Sequence, residues 1–335
     1  MSVDLTTNYL GLRLKNPLVA SAGPVTEHPE LLHELDAVGI AAVVLPSLWE
    51  EQIEHYDWQL AQLEEYGANS FPEALNYFPP LVDRRGSPDD YLSRVMLAKQ
   101  IVKVPVIASL NGRTRGGWVR YARMIQEAGA DALELNVYFL ATDPNQTSAE
   151  VEQQYLDLVA AVRAEVTIPL AVKIGPFFSS LPNFAKRLME AGADGLVFFN
   201  RFLQPDIDLN TLAVAAHATL SDSRELRLPL RWIAILRSVL RCSLAATSGV
   251  HTPADVIKLI LAGADAVQVM SVLMQRGVGH VRELLEGISR WMAERDYESL
   301  EQMKGSLCQA NCPDPAAFER ANYMKALVNY AGIQV

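Results

Sequence analysis

Lys173 stands at the end of an apolar run, Leu170-Ala171-Val172, with Gly175-Pro176 close behind. A lysine is almost never fully buried unless paired, so this place points to a cofactor or catalytic role. The plainer alternative is a stem lying along apolar surface with its head in solvent. Asparagines close three other apolar runs, at Asn111, Asn136 and Asn200. Each amide offers donors and an acceptor, as recognition of a planar heterocycle requires, although asparagine also simply ends strands. Thr247-Ser248-Gly249 leads into His251-Thr252-Pro253, where Thr252 suits a helix cap and Pro253 the first turn. Backbone N–H groups near Gly249 and near Met270-Ser271 would converge on a phosphate. A tight strand-to-helix turn needs the same glycine and cap. Phosphate cradle, amides and one lysine together describe a pocket for flavin mononucleotide (FMN). In it the lysine would stabilise negative charge on the reduced ring.

The elements that must hold these residues are written in a recurring phrase: AVGIAAVVLPS (37–47), EAGADALELNV (127–137), EAGADGLVFFN (190–200) and LAGADAVQVMS (261–271). Each reads as a helix end, a glycine suited to a left-handed cap, and a short strand. NPLVASAG, VPVIASLN, IPLAVKIG and CSLAATSG supply four further apolar runs. Strands are expected at about 18–22, 41–47, 105–110, 132–137, 170–174, 195–200, 243–248 and 266–270. Continuous rather than alternating apolar runs mark parallel strands covered on both faces. Eight of them alternating with helical patterns predict an α/β fold, a (β/α)8 TIM barrel. The Gly-rich dinucleotide fingerprint of an open doubly wound sheet is missing. Long insertions follow strands two (48–104) and six (201–241), at the barrel face where such enzymes build their sites. The domain plan is a barrel over residues 1–290 and a helical C-terminal extension, 291–335, packed on its outside.

Composition narrows the partners. Of 335 residues 50% are hydrophobic and 20% charged, and the formal charge is -10. That balance supports a large core and disfavours nucleic acid and anionic membrane surfaces. No stretch reaches the ~20 apolar residues of a membrane span, and the opening MSVDLTTNYLGLRLKNP lacks the pattern of a secretory signal. Cys242, Cys308 and Cys312 make no disulfide framework and fit a reducing cytoplasm. Cys308 and Cys312 lack the further ligands of a structural metal site, so no metal is expected.

On LRLKNPLVASAGP (12–24), ELN (134–136), IPLAVKIGPFF (168–178), ATSGVHTPADVIKLILAGADAVQVMSVL (246–273) and DYESLEQMKGSL (296–307), the chain resembles the dihydroorotate dehydrogenase family over nearly its whole length. The resemblance implies a soluble FMN enzyme that oxidises dihydroorotate to orotate, or acts on a related planar substrate, by hydride transfer to flavin. It implies FMN held by Ala20-Ser21, Asn136, Lys173, Ser248-Gly249 and Met270-Ser271, with Asn111 and Asn200 at or near ring and substrate. Asn69-Ser70 resembles the substrate loop. A homodimer is implied, and the electron acceptor could be fumarate, a nicotinamide nucleotide or a redox partner protein.

Three departures from the family pattern stand out. Leu45 falls where the family offers a lysine to the flavin, and ATSG replaces the commoner GTGG of the phosphate turn. After Asn136 the family reads N-L-S-C-P-N or N-V-S-S-P-N, and its Cys or Ser takes the substrate proton. Here that place is Phe139, which cannot accept a proton. General base catalysis contributes roughly 3–5 kcal/mol of barrier lowering. Tyr138 or Thr142 would have to substitute, Tyr138 better as an acid given the high intrinsic pKa of a phenol. Asp143 is a further candidate, with a solvated surface position as its alternative. A different substrate, or a non-catalytic electron-transfer role with Trp291 and Tyr323 at an interface, are the other readings.

Overall fold

The computed structural model describes residues 3–58, 87–114, 116–201, 205–216 and 219–319. A hairpin, β1 (Thr7–Tyr9) and β2 (Leu12–Leu14), precedes the barrel strands β3 (Leu18–Ala20), β4 (Ala42–Trp49), β5 (Val106–Asn111), β6 (Ala132–Asn136), β7 (Leu170–Ile174) and β8 (Gly195–Phe198). A second hairpin, β9 (Pro205–Asp208) and β10 (Ala213–Ala216), comes before the last two, β11 (Ser243–Ala246) and β12 (Ala266–Val269). The eight barrel strands are parallel, and β12 pairs with β3 to close the ring. Each expected apolar run forms one of them. They are mainly apolar because the barrel interior covers one face and the helices cover the other.

The helices are α1 (Pro29–Val38), α2 (Pro88–Ile101), α3 (Arg120–Glu127), α4 (Ser148–Glu165), α5 (Leu181–Glu190), α6 (Arg227–Leu236), α7 (Pro253–Ala262), α8 (Ser271–Arg276), α9 (His280–Ala293) and α10 (Leu300–Met303). Residues 50–58 are also helical. The first long insertion therefore holds that segment and α2, and the second holds the β9–β10 hairpin and α6.

The recurring AGAD phrase is a clamp at the barrel's lower end. Its glycines cap helices in the left-handed region, as Gly129, Gly192 and Gly263 do. The aspartate that follows accepts an N–H at the start of the neighbouring strand: Asp131 from Val106 (2.7 Å), Asp194 from Leu170 (2.8 Å) and Asp265 from Leu244 (2.9 Å). Each carboxylate also meets a cation from a preceding helix or its end: Lys99, Arg163 and Arg237 respectively. Each phrase thus fixes one strand against the next.

The β1–β2 hairpin closes the same end. Tyr9, Leu10 and Leu14 pack inside the barrel on Val19, Val44, Ile107, Ala132, Ala171, Val197, Ala245 and Ala266. Small residues on five strands leave room for this plug. A Cβ added at Gly195 would lie 2.5 Å from Leu10 Cδ2. The tail continues along the outside. Helix α9 spans residue 290, the boundary drawn from sequence, and packs on α7 and α1. Lys304 pairs with Asp265 at 3.0 Å, and Leu300 N–H donates to Asp4. Trp291 stacks on Tyr297 and packs against the core; Tyr323 lies outside the described residues. No helix among the described residues is long and apolar enough to cross a membrane.

Candidate active site

Above the apolar plug the interior turns polar. Lys173, only 6% exposed, extends from β7 into a ring of acceptors supplied by three other strands or their ends. Its Nζ lies 3.2 Å from Glu134 Oε1, 3.3 Å from Gln268 Oε1 and 3.5 Å from Ser21 Oγ. Gln268 Nε2 donates to the other Glu134 oxygen at 2.5 Å, and Ser21 Oγ donates to Gln268 Oε1 at 3.0 Å. The lysine is thus buried and paired rather than lying along the surface. Glu134 and Gln268 are the partners that sequence reading missed. ELN and AVQV carry them in plain view, but nothing local joins them to Lys173.

Strand register sets the rim. Asn111 pairs with Asn136 across β5–β6, and Asn136 with Lys173 across β6–β7, so the three form one row. Asn111 Nδ2 and Asn136 Oδ1 are buried with no hydrogen-bond partner. A buried polar atom left unpaired costs about 1–3 kcal/mol, so a ligand offering an acceptor and a donor would recover it. Asn200 differs, because both its amide hydrogens go to backbone, at Val137 O (3.1 Å) and Lys173 O (3.2 Å). It ties three strand ends together and leaves only its carbonyl oxygen for a ligand.

At the Lys173 end of this row lies a cavity of about 290 Å³ whose walls include Ser21, Lys173, Ser248, Gly249, Met270 and Ser271. Ala20 faces the layer between strands and helices, so the wall begins at Ser21. A larger opening of about 690 Å³ adjoins it through Arg201, Thr219, Thr247 and Ser248, and Asn200 lies on its wall. Ser248 and Gly249 both have positive φ, 73° and 75°. Strain of roughly 1–2 kcal/mol attends a side chain in that region, which is the physical sense of the glycine commoner at Ser248. At Gly249 a Cβ would in addition lie 2.3 Å from Leu226 N, so any substitute there must displace backbone.

Thr252 caps α7 as expected, in a capping box with Asp255. Asp255 Oδ2 also accepts from His251 N–H (3.1 Å) and Ser223 Oγ (2.9 Å). The start of α7 therefore already holds its own carboxylate, and N–H groups for a ligand must come from the Gly249 and Ser271 sides. Ser221, unforeseen from sequence, lies on the cavity wall with its Oγ 3.1 Å from His251 Nε2. Its N–H donates to Ser271 Oγ. Burial holds the His251 imidazole below the ordinary histidine range, opposed by the Asp255 carboxylate.

The loop after β6 takes a different direction. Phe139 is half-buried against the core, beside Tyr155, whose phenol burial pushes up to about 12. Tyr138, Phe139 and Thr142 line a separate cavity of about 360 Å³ with Asn111, Glu50 and Glu51. Asp143 is exposed and accepts from Asn145 N–H at 2.9 Å. Glu50 is buried and accepts from Arg113 N–H and from Thr114, which anchors the loop after β5. Leu45 does not face the pocket. Leu45 alternates outward from Val44 and lies among α1 and α2 residues, and a register shift between Val44 and Ser47 puts Ser47 opposite Ser109, Oγ to Oγ 2.8 Å. Asn69 lies outside the described residues.

The family model described as dihydroorotate dehydrogenase matches residues 83–292. The catalytic subunit of dihydroorotate dehydrogenase B (NAD(+)) from Thermoplasma acidophilum is 26% identical, over 90% of this chain and 98% of that protein. Its counterpart in Pyrococcus abyssi is 27% identical, with the same coverage of each. Subunit PreA of the NAD-dependent dihydropyrimidine dehydrogenase of Escherichia coli K12 is 24% identical, over 91% of this chain and 77% of that protein. With a closed barrel, a buried lysine on its rim and a match covering most of its length, this chain belongs to the dihydroorotate dehydrogenase family of flavin-dependent oxidoreductases.

Proposed function

We propose that the protein binds FMN on this rim and transfers hydride between it and a planar heterocycle of the dihydroorotate or dihydropyrimidine class. The observation that carries the reading is the row Asn111–Asn136–Lys173, two orphaned amide atoms beside a buried cation. Such a set fits a flavin ring. The Ser248–Gly249 turn, Ser221 and Ser271 would take the phosphate. A flavin bound there supplies a two-electron hydride acceptor. Lys173 would offset negative charge on the ring, and Asn136 and Asn200 would orient the substrate with Asn69. The relatives are named as subunits of NAD-linked enzymes, which supports a redox partner protein as the route for electrons. Three free thiols agree with a cytoplasmic location, and the family resemblance supports a homodimer.

A second reading concerns the substrate. Phe139 leaves the loop without the family's proton acceptor, and the cavity beyond it carries two carboxylates, Glu50 and Glu51, against Arg113. Both features favour a neutral ring over the dihydroorotate anion, with Tyr138 or Thr142 serving as the proton-handling hydroxyl. The test is anaerobic mixing of the flavin-loaded protein with dihydroorotate and with dihydrouracil, following flavin bleaching. Protein that takes up no FMN refutes the main reading, and prompt bleaching by dihydroorotate refutes the second. Phe139→Cys is expected to raise dihydroorotate oxidation by about 10²–10⁴-fold if the base position is as assigned.

A further inference from the structure

Lys173 does not face the rim as a free cation. Its Nζ sits 3.2 Å from a carboxylate that is itself fully buried, and the pair is only 8% and 1% exposed at its side chains. Two carbonyl or hydroxyl acceptors, Gln268 Oε1 and Ser21 Oγ, take up its remaining directions. Glu134 is fixed in turn, because Gln268 Nε2 holds its second oxygen. Glu134 also lies on the same face of β6 as Asn136, two residues deeper in the barrel. The carboxylate thus stands directly beneath the row of rim amides.

A buried ion pair is weak evidence for stability, since apolar side chains of like volume often serve the core as well or better. Its effect on charge at the rim is not weak. In a buried site the field of each charge is screened far less than in water, so the carboxylate's field reaches the rim and offsets that of the ammonium. A lysine paired this way offers an anionic ring less than its full charge.

We propose that Glu134 is a positioning residue that holds back the charge of Lys173, so that the pair sets how strongly the site prefers reduced over oxidised flavin. The proposal rests on FMN binding at this rim. Gln268 tunes the balance, because it is the neutral acceptor competing with Glu134 for the ammonium and the donor restraining the carboxylate.

The test compares wild type, Glu134→Gln and Gln268→Met by oxidised-FMN affinity, from fluorescence quenching, and by midpoint potential, from anaerobic dye equilibration. Glu134→Gln is expected to raise the ratio of reduced to oxidised affinity about tenfold, an upward shift of about 30 mV for a two-electron couple. Gln268→Met is expected to shift the potential the opposite way, as the lysine becomes more dependent on the carboxylate. A purely structural role would weaken both affinities and leave their ratio alone. A ratio within twofold of wild type in Glu134→Gln, or shifts of the same sign in both variants, overturns the proposal while leaving FMN binding intact. If Glu134→Gln does not fold, an upward shift or no shift in Gln268→Met overturns it. A wild-type protein that binds no FMN overturns this proposal and the proposed function together.

Discussion

Gly249→Ala isolates the demand the cradle makes on its backbone, and Gly11→Ala supplies the control. Both glycines have nearly the same positive φ, 75° and 72°. Both substitutions therefore carry the left-handed penalty of roughly 1–2 kcal/mol, offset by roughly 0.4–1 kcal/mol from a less flexible unfolded chain. They differ in space. Around Gly11 nothing lies within 4 Å of the added Cβ, whereas at Gly249 it would meet Leu226 N at 2.3 Å and Glu225 C at 2.9 Å. Those atoms are backbone, so relief requires the turn or the start of α6 to move by about 1 Å, and overpacking of this kind adds about 1–3 kcal/mol. At about 2.1 cal/mol/K per residue, the unfolding entropy of 335 residues is about 0.7 kcal/mol/K, or about 1.4 °C of Tm per kcal/mol. Scanning calorimetry should show Tm falling by about 1 °C for Gly11→Ala and by about 3–5 °C for Gly249→Ala. FMN affinity should fall only in the latter. Equal Tm losses, or undiminished FMN binding by Gly249→Ala, would refute the cradle as described.

Asp255→Ala removes the acceptor shared by Ser223 Oγ, His251 N–H and Thr252 N–H, and should cost about 2 kcal/mol or more; an unchanged calorimetric Tm would count against it. His251 is held below the unfolded histidine value of about 6.5, so the unfolded chain takes up its proton first as pH falls. The stability tied to its neutral form is thus complete above that value and lost below it; Tm measured from pH 8 to pH 5 should decline less in His251→Gln than in wild type. Thiol titration of the native protein should find one fast group, Cys312. Cys308 is buried, and burial pushes the Cys242 thiol up to about 12. Labelling of Cys242 at the rate of Cys312 would contradict that burial.

Much of the architecture was legible in the chain itself. A strand buried on both faces is apolar at most of its positions, so VVLPS, LAVKI and AVQV announced their places in a parallel barrel. A left-handed helix cap favours glycine, so AGAD announced each helix end. Thr252-Pro253 announced the start of α7 for the same local reason. Lys173 could be picked out because a charge inside an apolar run demands a partner. Which partner it has was not legible. Glu134 and Gln268 lie 39 and 95 residues away, and only closure of the ring brings them to the ammonium. Leu45 faces the helices because strand residues alternate and Val44 takes the interior, and the shift that follows coincides with Pro46, the mark of a bulge that AAVVLPS did carry. The pairing of Ser221 with His251, and the hairpin plugging the lower end, likewise depend on contacts between distant segments. Period, cap and composition are properties of neighbouring residues and were set by the sequence alone. The facing of each side chain and the pairing of each buried charge follow from register and closure, which only the folded barrel decides.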